Sequence, residues 1–287
     1  MSHSTDQHTN PVPGATVFIA ASETDSNLYY ATKFIAPDPF IYLEVKGERL
    51  MIMSDLEVDR ARHQATVDRV VSYSELERRA KAQGVKDPGN IDVIHLVLQD
   101  AGVRDILVPP TFPFLHAQRL QELGYRLRTK RDPFYESRVV KSDEEVRHIE
   151  AAQRATEKAV AAAHESLRRA EIRDNVLWLD GQVLTSERVK KLINVALMEC
   201  DCVAQHTIVA GGEQACDPHD EGSGPLPAHR SIIFDVFPRS ADSRYFADMS
   251  RTVVRGQPSP ELKKLYQTVK DAQEEAITKI RDGADGA

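Results

Sequence analysis

The chain has 287 residues, 41% of them apolar, a formal net charge of -7 and three cysteines. That length exceeds the usual single domain, and the apolar fraction allows a core in each of two. The acidic balance, with no Lys/Arg run interleaved with aromatics, argues against a nucleic-acid partner, and no run approaches the roughly 18 to 20 apolar residues that span a bilayer.

Met1 to Gly14 is polar, rich in His, Ser, Thr and Pro, and lacks the charged and apolar regions of a signal peptide. It reads as a disordered tail, residues 1–14. The next stretch alternates short apolar runs with helical patterns. Val17 to Ala21, Phe40 to Val45, Leu50 to Met53 and Arg104 to Val108 read as strands. Ser74 to Gln83, Ile91 to Ala101 and His116 to Leu123 read as helices. Such alternation predicts an α/β layer with largely parallel strands over residues 15–138. Turn chemistry over Lys130 to Ser142 then leads into a second domain, residues 139–287.

Ser142 with Glu145 has the spacing of a capping box, and apolar residues recur at three- and four-residue steps from Asp143 to about Arg169. A second helix is expected over Ser186 to Met198 and a strand over His206 to Gly212. A turn-rich loop, Glu213 to Arg230, precedes two further strands. The last helix starts at Ser259-Pro260, a capping residue followed by proline where its missing N–H is harmless, and Gly283 is expected to end it. Cys200, Cys202 and Cys216 are odd in number and lack a C-x-x-C spacing, which fits a reducing cytoplasm better than a disulfide framework.

The two late strands carry the chemistry. In "SIIFDVFPRSADSRYFADMSRT", Asp235 interrupts one apolar run, and Asp248 interrupts another between Arg244 and Val254. Two carboxylates on neighbouring antiparallel strands repel unless one takes a proton or a cation sits between them. Oxygen-rich ligation favours manganese, magnesium or iron over a thiolate-type zinc site. On spacing alone, either Asp can equally serve a turn or a hydrogen bond.

"IVAGGEQACDPHDEGSGPL" followed by "IIFDVFPRSADSRYFADMSRTVVRG" resembles the first half of the catalytic domain of the pita-bread metallohydrolases, the aminopeptidase P, prolidase and creatinase type. "SRVVKSDEEVRHIEAA" is similar to the R-x-x-K-x-x-x-E-x-x-x-I start of that domain, and the region before it loosely resembles the creatinase-type amino-terminal domain. The resemblance implies a metal-dependent peptidase that hydrolyses the bond before proline. Asp235 would chelate one of two divalent metal ions and Asp248 would bridge both. Manganese is the expected metal, with cobalt, iron or zinc as alternatives. His219 would act beside the metals as the catalytic hydrogen-bond donor, the alternative being a loop His bonded to Asp217 or Asp220. It further implies a cytoplasmic homo-oligomer, a dimer, acting on proline-containing peptides. His206 and His229 match no family ligand, Arg251 is expected in a structural ion pair, and Cys216 as a small buried residue.

The chain also departs from the family pattern. Asp235 is followed by Val236-Phe237-Pro238 rather than the usual Asp-x-Gly, and the span to Asp248 is longer than usual. A two-metal site of this family takes a His and two Glu residues from strands after the helix in which this chain ends. The natural protein is therefore expected to continue beyond Ala287; a separate polypeptide or self-association would be the other ways to cover the open half. Two further readings stay open: a non-catalytic pita-bread module that binds peptide or protein, and a creatinase-like C–N hydrolase.

Overall fold

Six strands form one sheet in the first of two units into which a computed structural model, describing residues 14–286, divides the chain at Val140 and Lys141. The expected tail, but for Gly14, lies outside the described residues. The strands are β1 (Ala15–Ala20), β2 (Phe40–Val45), β3 (Glu48–Met53), β4 (Arg69–Ser72), β5 (Asp105–Val108) and β6 (Arg126–Thr129), in the order β4-β3-β2-β1-β5-β6. Helices α1 (Ser26–Thr32), α2 (Val58–Gln64), α3 (Tyr73–Ala82), α4 (Asn90–Asp100) and α5 (Phe114–Glu122) connect them. Pairing is parallel between β1 and β5, β5 and β6, and β3 and β4, but β2 runs against both its neighbours. Lys46 and Gly47, with φ of 52° and 85°, make the tight two-residue turn that reverses the chain between β2 and β3. Alternate residues feed two cores, Val17, Leu43 and Ile52 on one face and Phe18, Tyr42 and Met51 on the other.

The second unit begins with α6 (Asp143–Arg169), whose capping box is formed: the Ser142 N–H donates to Glu145 Oε2 at 2.8 Å and the Glu145 N–H to Ser142 Oγ at 3.3 Å. A small meander follows, β7 (Glu171–Arg173), β8 (Val176–Leu179) and β9 (Gln182–Val183), then α7 (Ser186–Met198), capped by Thr185. Next come β10 (Cys202–Val203), β11 (Ile208–Gly211), β12 (Ile232–Val236), β13 (Arg239–Ser240), β14 (Met249–Val253) and α8 (Pro260–Lys279). An antiparallel sheet has the order β11-β12-β14, while β10 pairs with β13.

Ala155, Ala159 and Ala163 of α6 and Val189, Ile193 and Leu197 of α7 join Val209, Ile232, Phe234, Val236 and Met249 in one core. Small residues on α6 let the elements pack closely. Burial along β12 alternates, with Ile232, Phe234 and Val236 buried and Ile233 and Asp235 only half-buried. The other side of this sheet is therefore the open one. Ser259 caps α8 as its sequence implies, its hydroxyl accepting the Leu262 N–H at 3.2 Å, and the helix ends at Lys279, ahead of Gly283. No residue of α8 is buried, and Leu265, Tyr266, Val269 and Ile277 are all more than half exposed.

An isolated helix of this length is marginal in water. Hydrogen exchange is expected to show the amides of 264–279 exchanging orders of magnitude faster than those of α6; equal protection would mean that something covers α8 in solution. The loop between β11 and β12 gives a second expectation. Gly222 has φ of +77°, and a Cβ there would lie 1.9 Å from the Val209 carbonyl oxygen. Gly222→Ala should destabilise the protein by more than about 3 kcal/mol in urea unfolding, since both backbone strain and a backbone clash resist the change. A change under about 1 kcal/mol would contradict the close approach.

Candidate functional site

The register of β12 and β14 sets the centre. Asp235 lies opposite Ser250 and Val236 opposite Met249, where the ladder ends. Residues two apart in an extended strand share a face, so Asp248 lies on the Ser250 side and diagonal to Asp235. The Ser250 hydroxyl donates to Asp235 Oδ1 at 2.5 Å. Partial burial, the charge of Asp235 and a hydrogen bond between the two carboxyls hold Asp248 above the ordinary carboxylate range.

Asp248 is not inside the strand expected over Arg244 to Val254: β14 starts one residue later, and Asp248 is exposed. The excursion from Phe237 to Asp248 is a hairpin, with Pro238 at its start, only a two-residue β13 and a left-handed Arg244 at φ 67°. The apolar run Tyr245-Phe246-Ala247 belongs to its return leg. The case for a cation therefore rests on two like charges facing one another.

His219 lies on the exposed loop after β11. Its N–H donates to Asp217 Oδ1 at 2.9 Å, and no hydrogen bond or ion pair joins its ring to Asp235 or Asp248. The loop is held by the Glu221 carbonyl, which accepts the Val209 N–H at 3.0 Å, and by Lys190, whose Nζ donates to the Gly222 carbonyl at 2.9 Å. His206 Nδ1 is bonded to Glu221 Oε1 at 2.7 Å, and His229 Nδ1 accepts the Gln257 N–H at 2.8 Å. Two expectations fail on exposed positions. Cys216 is exposed rather than buried, because it ends a short turn in the open loop. Arg251 donates to the Ser250 carbonyl at 2.8 Å and pairs with no carboxylate among the described residues; it stands opposite Phe234 on β14, at the end of the sheet order, and is exposed.

The donor chemistry fits a divalent ion: two hard carboxylates share one face, and one of them resists ionising beside the other. Among the described residues no group of three or more His, Cys, Asp or Glu could hold a metal ion. Sequence reasoning missed Ser250, although its place two residues after Asp248 puts it on the same face. It also missed Tyr245, whose hydroxyl donates to Glu145 Oε1 at 2.7 Å across a hundred residues of chain.

Comparison with known proteins points the same way. The profile of metallopeptidase family M24 matches residues 147–287. An uncharacterized peptidase of Staphylococcus saprophyticus is 24% identical over 267 residues, which cover 91% of this chain and 68% of that protein. The Xaa-Pro dipeptidase of Pyrococcus horikoshii is 23% identical, over 90% of this chain and 65% of its own length. This chain thus spans about two thirds of the length of those relatives. The crystal structure of the X-Pro aminopeptidase from Thermotoga maritima superposes with a TM-score of 0.73 at 21% identity, covering 94% of this chain and 70% of that one, a likeness of fold. The second unit of this chain, nearly all of which that profile covers and whose fold is that of these peptidases, belongs to metallopeptidase family M24.

Proposed function

We propose that Asp235 and Asp248 are the carboxylate ligands which this chain contributes to a two-metal peptidase centre acting on the bond before proline. The observation that carries the reading is the pair itself, two carboxyls on one open sheet face with Asp248 held above its ordinary range by partial desolvation and by its neighbour. Family membership and the name of the Pyrococcus horikoshii relative support the substrate class. The oxygen donors suit manganese, magnesium or iron, and manganese is assigned on the family resemblance. Bound divalent ions would lower the pKa of a water and polarise the scissile carbonyl. The chain's own residues do the rest. Asp235 and Asp248 hold the ions, and the Ser250 hydroxyl fixes which Asp235 oxygen faces them. His219 is assigned to hydrogen-bond the peptide carbonyl oxygen as charge develops on it. Two carboxylates are few ligands for two ions, so the described residues by themselves are assigned weak metal binding and little turnover. Three free cysteines accord with a reducing cytoplasm as its place of action.

The reading is tested on protein isolated from its native source and on an Asp248→Ala variant expressed in its place. Manganese-dependent cleavage of an Xaa-Pro dipeptide or tripeptide is expected, and Asp248→Ala should lower kcat/KM by more than about 100-fold, the upper end for mere outer-shell partners. Cleavage indifferent to chelator and to the substitution would sink the proposal. Tight binding of proline peptides without cleavage would make the chain a peptide-binding module instead.

Metal removal gives another expectation. A raised Asp248 pKa means that the native state binds more protons than the unfolded one. Metal-free stability then falls as pH rises from the ordinary aspartate range through the raised value. In EDTA at neutral pH, Asp248→Asn should raise Tm slightly, by about 1 °C for so exposed a group, with the gain vanishing in acid below the ordinary range. A lowered Tm at neutral pH would show that the pair is not in conflict.

A further inference from the structure

Asp248 stands just outside the β12–β14 ladder, which ends at the pair Val236–Met249. β14 is an edge strand, paired on one side only. The ladder therefore fixes Asp235 but leaves Asp248 to whatever holds the hairpin before it. Within the hairpin the Ser240 N–H donates to the Tyr245 carbonyl at 2.9 Å and the Ala247 N–H to the Pro238 carbonyl at 3.1 Å. Those bonds join the two legs to each other, and the outgoing leg is tied to the body of the unit by the β10–β13 pairing and by the Ala241 N–H, which donates to the Asp201 carbonyl at 2.8 Å.

Tyr245 ties the return leg. Its hydroxyl donates to Glu145 Oε1 at 2.7 Å, and its ring stacks on His148 with centroids 5.5 Å apart and planes 22° from parallel. Glu145 is 7% exposed, and its other oxygen accepts the Ser142 N–H at the start of α6. One buried carboxylate thus serves both the cap of the longest helix and the hairpin. An apolar contact would bury the ring as well, but only a directional bond to a fixed acceptor sets its position along the strand. We infer that Glu145 and Tyr245 are positioning residues, a clamp that sets the height of Asp248 relative to Asp235 so that the two carboxylates meet one cation; this rests on the metal-site reading above.

The test uses the whole 287-residue chain. Binding of Mn²⁺ is followed by the electron-spin resonance of the free ion, exchange of the Ala247 amide by mass spectrometry, and Tm in EDTA. Tyr245→Phe keeps the ring and removes the hydroxyl. It is expected to weaken Mn²⁺ binding about tenfold, as outer-shell changes do, and to speed Ala247 exchange with little change in Tm. Glu145→Ala removes the acceptor and the cap together, so it should weaken Mn²⁺ binding and speed Ala247 exchange as Tyr245→Phe does, at a lower Tm; unchanged Mn²⁺ affinity in it would also overturn the inference. If Tyr245→Phe lowers Tm alone, with Mn²⁺ affinity and Ala247 exchange unchanged, the clamp is merely structural and the inference is overturned. Asp248→Ala separates the two ideas. Wild-type Mn²⁺ binding in that variant would sink the metal-site reading, whereas its loss there beside full binding in Tyr245→Phe would sink only the clamp.

Discussion

Two carboxylates that face the same side of a sheet repel each other, and the arrangement of the second unit keeps them there. The side chains of β12 alternate between a core closed by α6 and α7 and an open face that carries Asp235. The hairpin after β12 returns Asp248 to that same face, and Ser250 binds Asp235 across the ladder. A protein could relieve the conflict by moving either residue one position along its strand, which would turn the side chain to the other face. Here the register keeps both carboxyls together and leaves one of them above its ordinary range.

The open face and the bare α8 belong to the same picture. Packing in this unit lies on the α6–α7 side of the sheet, where small alanines let the helices come close. On the other side, Ile233 and Asp235 are half-buried and Asp248 and Ser250 exposed, and α8 carries Leu265, Tyr266, Val269 and Ile277 without burying any of them. The loop carrying His219 is anchored at its far end by the close approach of Gly222 to Val209, which fixes where it returns to β11 while leaving His219 in solvent. Substrate and metal in a centre of this kind would reach the carboxylates from that open side.

Much of the fold was legible because local signals agreed with the packing. The helices over Asp143 to Arg169 and Ser186 to Met198 have both periodicity and caps, and they fold within the bounds those signals set. The elements that escaped are short. α1, α2, β4, β6 and the β7–β9 meander run from two to seven residues, too few for a period to emerge. β2 turned antiparallel through Lys46-Gly47, a turn signal overridden by the expectation of parallel strands. The Asp pair could be read from the alternation around Asp235. The exposure of Asp248 could not, since it depends on what covers a sheet face, and Tyr245-Phe246-Ala247 reads as strand although it is hairpin. Tyr245 and Glu145 meet across a hundred residues, so no local pattern announces them.

The most direct test of the account is anomalous diffraction at the manganese edge from crystals of this chain soaked in Mn²⁺. One peak is expected in contact with carboxylate oxygens of both Asp235 and Asp248, lost in crystals of Asp235→Ala. A peak elsewhere, or none at saturating metal with both carboxylates ordered, would contradict the claim that this pair exists to hold a cation.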